Sequence, residues 1–362
     1  MTDQVLRGEC KIPGGKFVTV DLVVDGDMIV WAAVAGDFFL DPDEALAVIE
    51  GALVGLPAGA TVSEVSAAID ARLADAAEEF GYPATLVGFN PWSVGVAVRR
   101  ALGREPGGEV PFEVLRPGPL PIRTNVALDE VLCYELMAGN RGATLRFWEW
   151  PEEERAVVIG SFQSVANEVD PAGVDRHGVT VVRRISGGGA MFMEGPNCIT
   201  FSLVVPQEMV EGMSFEASYW FLNSWLVSAL EQVGVQAELS GLNDISTPHG
   251  KIAGSAQKRF VGGAVLHHVT MAYGIDDSKM HEVLRIGKAR LRPKGAPSAV
   301  KRVDPLRSQT GLPRLEIIDQ LDRYFRTEFR STDSELWPAE LAQAEALVES
   351  KFATDEWQNR VP

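Results

Sequence analysis

Two stretches concentrate the residue types that bind and activate anions. The first, "RRISGGGAMFMEGPN", runs from Arg183 to Asn197. An apolar run, "GVTVV", leads into two arginines, a serine and three consecutive glycines. Glycine permits positive φ and has no Cβ, so a ligand can approach the backbone closely. Successive N–H groups in such a turn form an anion-binding concavity, and a guanidinium adds a forked, permanently charged donor. The same residues alone also describe a flexible hairpin tip with solvated arginines. Standard nucleotide loops are not matched. "GGGAMF" does not complete G-x-G-x-x-G, and Gly250-Lys251 is followed by Ile252 rather than Ser or Thr.

The second stretch is "GLNDISTPHGKIAGSAQKRFVGGAVLHH", Gly241 to His268. Lys251 stands among small residues, with Gly254, Ser255 and Ala256 close behind. A lysine there would hold a phosphate or carboxylate as a point charge, although an exposed surface position is the default for any single Lys. His267 and His268 are neighbours on a strand-like run, so they point to opposite faces and do not share one ion. "HEVLR" at His281 lacks the second histidine of a zinc protease motif. The three cysteines, Cys10, Cys133 and Cys198, give neither a disulfide framework nor a zinc pattern. Cys133 and Cys198 read as small buried apolar residues.

These stretches need a scaffold. Strand-like runs "TLRFWEW", "AVVIGSF", "GVTVVRRIS", "CITFSLVVP" and "GGAVLHHVTMAYGI" alternate with the amphipathic helix "SFEASYWFLNSWLVSALEQVG". A helix capped by Thr124 or Asn125 and carrying Asp129 and Glu130 precedes them. Such a mixture predicts an α+β fold with a mixed sheet. Upstream, two strands joined by Asp25-Gly26 form a hairpin. Two helices follow, the second capped by Thr61 or Ser63 and ending at Gly81. The Pro- and Gly-rich "GREPGGEVP", Gly103 to Pro111, reads as a linker. The expected organisation is a small α+β domain over 1–104, a linker over 105–112, the main domain over 113–330 and a helical tail over 331–362.

Composition narrows the function. The 362 residues carry a formal charge of −17, which disfavours non-specific nucleic-acid binding. Residues 1–110 hold 7 Lys/Arg against 17 Asp/Glu, a balance that argues against a DNA-binding module there. Against this background Arg285 to Arg307, with eight Lys/Arg and one Asp, stands out as a surface for an anionic ligand or an acidic partner. No uncharged apolar run reaches the about 18–20 residues of a membrane helix, and no signal-peptide core is seen. A reducing, cytoplasmic setting is expected.

Taken together, "RRISGGGA", "NDI…GKIAGSAQ" and "LHH" resemble the lipoate–protein ligase family. "TNVALDE", "GSFQSVANEVD" and "KGAPSAVKRVDPL" are similar to further motifs of that family, in the same order, over about residues 113–310. The N-terminal unit resembles the small accessory domain of these ligases, which in the best-known forms follows the catalytic domain or is a separate chain. The resemblance implies activation of lipoate by ATP to lipoyl-AMP, with Mg2+, and transfer of the lipoyl group to a lysine of an acceptor domain. Expected acceptors are 2-oxoacid dehydrogenase E2 or glycine-cleavage H-type proteins. It implies that Lys251 contacts the lipoate carbonyl and α-phosphate. Arg184, Ser186, Gly187, Gly188, Gly189, Ala190, Met191, Phe192, Gly254, Ser255, Ala256 and Lys258 would bind the nucleotide or adenylate. Lys251, Arg184, Gly189 and His267 would meet lipoate. Asn243 and Asp244 would hold the phosphate or metal side. Two departures stand out: Met193-Glu194 replace a usual His-Asp pair, and Lys258-Arg259 stand where an arginine often follows the Gly-Ser-Ala segment.

Two alternatives share the fold. An ATP-independent octanoyl or lipoyl transferase needs a cysteine nucleophile, and its relatives carry Cys-Phe-Asp where this chain has "LNDI". A non-catalytic lipoyl- or carrier-binding homologue is the other.

Overall fold

A computed structural model describes residues 5–11, 16–103, 110–210, 213–275, 277–285 and 303–362. Most of the expected linker, the "KGAPSAVKR" segment and most of the basic run lie outside these residues. The chain divides into two compact units: 1–110 with 208–218, and 111–207 with 219–362.

The first unit is built on an antiparallel sheet, β1 (Leu6–Lys11), β2 (Phe17–Asp25) and β3 (Met28–Gly36). Gly26, at φ +61°, makes the expected tight turn. A short pair, β4 (Phe39–Asp41) with β5 (Thr85–Val87), and helices α1 (Ala45–Leu53), α2 (Val62–Phe80) and α3 (Pro91–Ala101) complete it. Thr61 caps α2 in a capping box with Glu64, and Gly81 ends it in the left-handed region. Val18, Val20, Leu22, Ile49, Val65, Ile69 and Val96 share one core.

The second unit carries the site. Its main sheet runs in the order β12-β13-β14-β15-β11-β7-β6-β16. In chain order its elements begin with β6 (Phe112–Leu115), helix α4 (Ile122–Met137), β7 (Ala143–Trp148) and β8 (Arg155–Ile159). Short helices α5 (Val165–Glu168) and α6 (Pro171–His177) lead to β9 (Thr180–Arg183), β10 (Met191–Glu194), β11 (Cys198–Pro206) and helix α7 (Phe215–Gln232). Then come β12 (Glu238–Ser240), β13 (Asp244–Thr247), β14 (Gly250–Arg259) and β15 (Ala264–Ala272). Helices α8 (Asp277–Val283), α9 (Leu306–Thr310) and α10 (Arg314–Glu328) follow. The chain closes with β16 (Ser331–Ser334), α11 (Pro338–Leu347), a π-helical turn at Val348–Phe352 and α12 (Asp355–Gln358). Pairs β6–β7 and β6–β16 are parallel and the remaining pairs of this sheet antiparallel, so the fold is α+β with a mixed sheet.

A second, three-stranded sheet has the order β10-β8-β9. Between it, α4 and the main sheet lies a core of Leu128, Leu132, Trp148, Val158, Val182, Met193, Val204 and Leu266. The opposite face of the main sheet is sealed by aromatics: Phe201 tilted against Trp225, and Trp225 and Phe112 edge-on to Phe325.

Two expectations are corrected. Helix α4 starts at Ile122 after Pro121, so Thr124 and Asn125 are inside it rather than capping it. The Asn125 amide donates instead to the carbonyls of Leu120 and Glu149. The tail is not wholly helical, because its first residues pair with β6 as an edge strand.

Candidate functional site

The glycine run is a turn between β9 and β10, on top of the three-stranded sheet. Arg184 organises it. Its guanidinium donates from Nε to Ser186 Oγ (3.0 Å), from Nη1 to the Val158 carbonyl (3.0 Å), and from Nη2 to the carbonyls of Gly187 (2.6 Å) and Gly189 (2.9 Å). Gly188 takes φ +90°, and a Cβ there would sit 2.8 Å from that same Nη2, so glycine is required twice over. Burial pulls the Arg184 guanidinium down to about 10 while the nearby Tyr219 opposes the shift. It is therefore still a cation at neutral pH.

Lys251 is on β14. Pairing with β13 slips beside it: Ile245 faces Ala253, while Ser246 faces Lys251. The extra residue, Ile252, makes a β-bulge, a device that re-aims side chains at sites. The Lys251 ammonium lies 2.7 Å from Asp244 Oδ1. A Cβ on Gly254 would come within 2.8 Å of that ammonium, so the bare backbone at Gly254 makes room for it.

Two cavities share the wall made by Ala190, Met191, Lys251, Gly254 and Thr270. The first is further lined by Trp148, Val158, Arg184, Met193, Asn243, Ser255 and His268. The second is mostly apolar, with Ile252, Ile275, Met280, Leu284 and Val303. In the first, the hydroxyls of Thr200 and Thr270 are 3.1 Å apart. Asn243 is pinned by its amide to the Ser255 carbonyl (2.7 Å). Asn223 donates to Ser255 Oγ (3.0 Å), so α7 braces this corner from behind.

A buried polar chain enters the first cavity from α4. His268 Nε2 is 2.7 Å from Ser186 Oγ, and its Nδ1 is 2.8 Å from Asp129 Oδ2. Asp129 Oδ1 accepts from Ser202 Oγ (2.6 Å) and from Arg146 Nη2 (2.8 Å). Burial opposes ionisation of Asp129, but the His268 hydrogen bond and the Arg146 charge outweigh it and hold the carboxyl below its usual range. An ionised Asp129 only accepts, so His268 Nδ1 carries the proton of that contact.

Most residues expected from the sequence converge here. Arg184, Gly189, Ala190, Met191, Phe192, Lys251, Gly254, Ser255 and Ala256 line one cavity or both. Ser186, Gly187 and Gly188 shape the turn behind that lining. Three expectations differ. His267 faces away from the cavity and meets Asn223 Oδ1 at 2.9 Å, because β15 alternates and puts His268 inward. Burial, reinforced by His268, drives the His267 ring down to about 3, so it is neutral. Lys258 lies over the Phe260 ring, 5.2 Å from its centroid, and lines neither cavity. Asp244 is engaged by Lys251, and no cluster of three His, Cys, Asp or Glu suited to a metal occurs among the described residues. Asp129, Arg146 and Ser202 were not expected. The signal for Asp129 was its place in "TNVALDE", but nothing local foretold its partners.

The comparisons accord with this geometry. Residues 121–329 match the model of the lipoyl protein ligase A/B catalytic domain. Lipoate–protein ligase 1 of Staphylococcus aureus is 32% identical over 205 residues, covering 56% of this chain and 60% of that protein, so the match spans under two thirds of that relative's length. Octanoyltransferase LipM of Symbiobacterium thermophilum is 29% identical over 280 residues, covering 68% of this chain and 95% of that protein. A crystal structure of lipoate-protein ligase A bound with ATP superposes with a TM-score of 0.58 at 25% identity, covering 70% of this chain and all of that one. A glycine turn ordered by an arginine, a lysine on a bulged strand and this match over more than half the chain lead to one conclusion: the chain belongs to the lipoyl protein ligase A/B catalytic-domain family.

Proposed function

We propose that the protein is an ATP-dependent lipoate–protein ligase. The observation that carries this reading is the position of Lys251, which lines both cavities at their common wall. An acyl-adenylate has two arms that diverge from one phosphoester. The lipoyl chain would occupy the first cavity, against Trp148, Val158, Met191 and Met193. The nucleotide would occupy the second, with its purine faces on Ile252, Ile275, Met280 and Leu284. Lys251 then meets the carboxyl oxygen and the α-phosphate where they join, and stabilises the charge that develops there. Amides of the glycine turn, held by Arg184, would donate to the remaining phosphate oxygens.

Mg2+ enters as part of the substrate MgATP. Asp244, 2.7 Å from the Lys251 ammonium, would orient that lysine toward the phosphates rather than hold the metal. In the second step an acceptor lysine amine attacks the acyl carbonyl, the C–N bond forms and AMP leaves with the C–O bond pair. Acceptors would be lipoyl domains of the E2 or H-protein kind. The acidic N-terminal unit would act as an accessory domain rather than as a phosphate site.

The transferase reading needs a reactive thiol. All three cysteines are buried and none is in a disulfide. Burial raises Cys10 and Cys198 to about 11 and Cys133 well above its ordinary value. None lines either cavity. These facts favour the ligase. Exchange of labelled pyrophosphate into ATP tests it: exchange that depends on lipoate is expected, and no exchange by folded protein would refute adenylation.

A further inference from the structure

The C-terminal segment is tied to the glycine turn through Arg183, the residue before the turn's own arginine. Arg183 is fully buried. Its Nε and Nη2 donate to the Gln358 carbonyl at 3.0 and 2.6 Å. Its Nη1 donates to the carbonyls of Gln163 (2.7 Å), Gly160 (3.0 Å) and Ser161 (3.3 Å). Its backbone N–H reaches Gln358 Oε1 (3.1 Å), and its carbonyl accepts from Trp357 Nε1 (2.9 Å). Among the described residues no carboxylate pairs with it. Carbonyl dipoles alone compensate the charge, two of its five donors through the tail. Burial, with Arg360 nearby, lowers this guanidinium to about 10.

The loop that Arg183 holds is the back support of the turn. Ser161 N–H donates to the Ser186 carbonyl at 2.8 Å, and Gly160 packs so close that a Cβ would lie 2.2 Å from the Gly188 carbonyl oxygen. The tail is also fastened further back, where Lys351 meets both carboxylate oxygens of Glu130 at 2.8 and 2.6 Å. A continuous set of contacts therefore runs from Gln358 through Arg183 and residues 160–163 to Ser186 and Gly188. We propose that Trp357, Gln358 and Arg183 are positioning residues that set the glycine turn for its ligand, so that the C-terminal segment is a working part of the site. The kinetic side of this inference rests on the ligase reading; the structural side does not.

Full-length Arg183→Lys and the double variant Trp357→Phe/Gln358→Ala test it, with exposed Glu356→Ala as control. Lysine keeps the charge and loses the fork. Amide exchange in 158–164 and 184–191 should quicken about tenfold in both, as for one or two buried hydrogen bonds lost. KM for lipoate or ATP should rise by about tenfold with kcat changed less, and the control should match wild type. If Arg183→Lys does not fold, the double variant decides alone. Unchanged exchange at 184–191 overturns the inference, as does quickened exchange with unchanged KM. If wild type shows no adenylation at all, the ligase reading fails, and exchange by itself still decides whether the tail orders the turn.

Discussion

At the scale of single residues, charge is placed and then fixed by neighbours. Lys251 is held by Asp244 at 2.7 Å, an ion pair that keeps the ammonium aimed at the cavity wall. Replacing Lys251 by Ala should cut adenylate formation by about 10²–10³, the usual cost of one contact to developing negative charge. Lys251 is not part of a hydrophobic core, so the melting temperature should stay near wild type. Normal pyrophosphate exchange at normal melting temperature would contradict the assignment. His267 allows a second test through pH. In the unfolded chain it takes up a proton near about 6.5, whereas in the fold it does so only near 3. Between these values the unfolded state binds one more proton, so stability falls as pH falls, by about 1.4 kcal/mol per unit from this group. His267→Gln keeps a side-chain donor for Asn223 and does not titrate. Urea unfolding at descending pH should show a shallower acid slope in that variant; an unchanged slope would show that His267 is not the responsible group.

At the scale of elements, close backbone approach makes the site. Gly160→Ala should destabilise by about 1–3 kcal/mol, the common cost of overpacking, because its Cβ would collide with the Gly188 carbonyl. It should also raise KM for both substrates, and a variant with native KM would show that the turn tolerates displacement. Much of this was legible in the sequence. The apolar runs marked β7, β8, β9, β11 and β15, and Asp25-Gly26 marked its hairpin, because turn chemistry and strand patterning act locally. The glycine turn and Lys251 were legible from their residue types. What local pattern could not give was partner choice across the fold. Asp129 meets His268 and Arg146 over separations of 139 and 17 residues, and Arg183 meets Gln358 over 175. Choosing His267 over His268 was a question of strand phase, which one bulge or one residue of register decides. Strands β1 (LRGECK) and β16 (STDS) are largely polar and offer no apolar run to mark them.

At the scale of the whole molecule, both cavities lie in the second unit, as does the family match apart from residues 208–218. The first unit has its own core and a strongly acidic composition. If it serves adenylation rather than transfer, protein lacking residues 1–104 should still pass lipoate from synthetic lipoyl-adenylate to an acceptor domain, yet make little adenylate from ATP. Full-rate adenylation by such soluble protein would instead point to acceptor recruitment. The central claim, that Lys251 joins an acyl and a nucleotide chamber in an adenylating enzyme, is tested most directly by the mass of an acceptor domain after parallel incubations. With lipoate and ATP the account predicts addition of one lipoyl group at a lysine, and with an octanoyl thioester donor and no ATP it predicts none. Modification by the thioester without ATP, and none by lipoate with ATP, would contradict it.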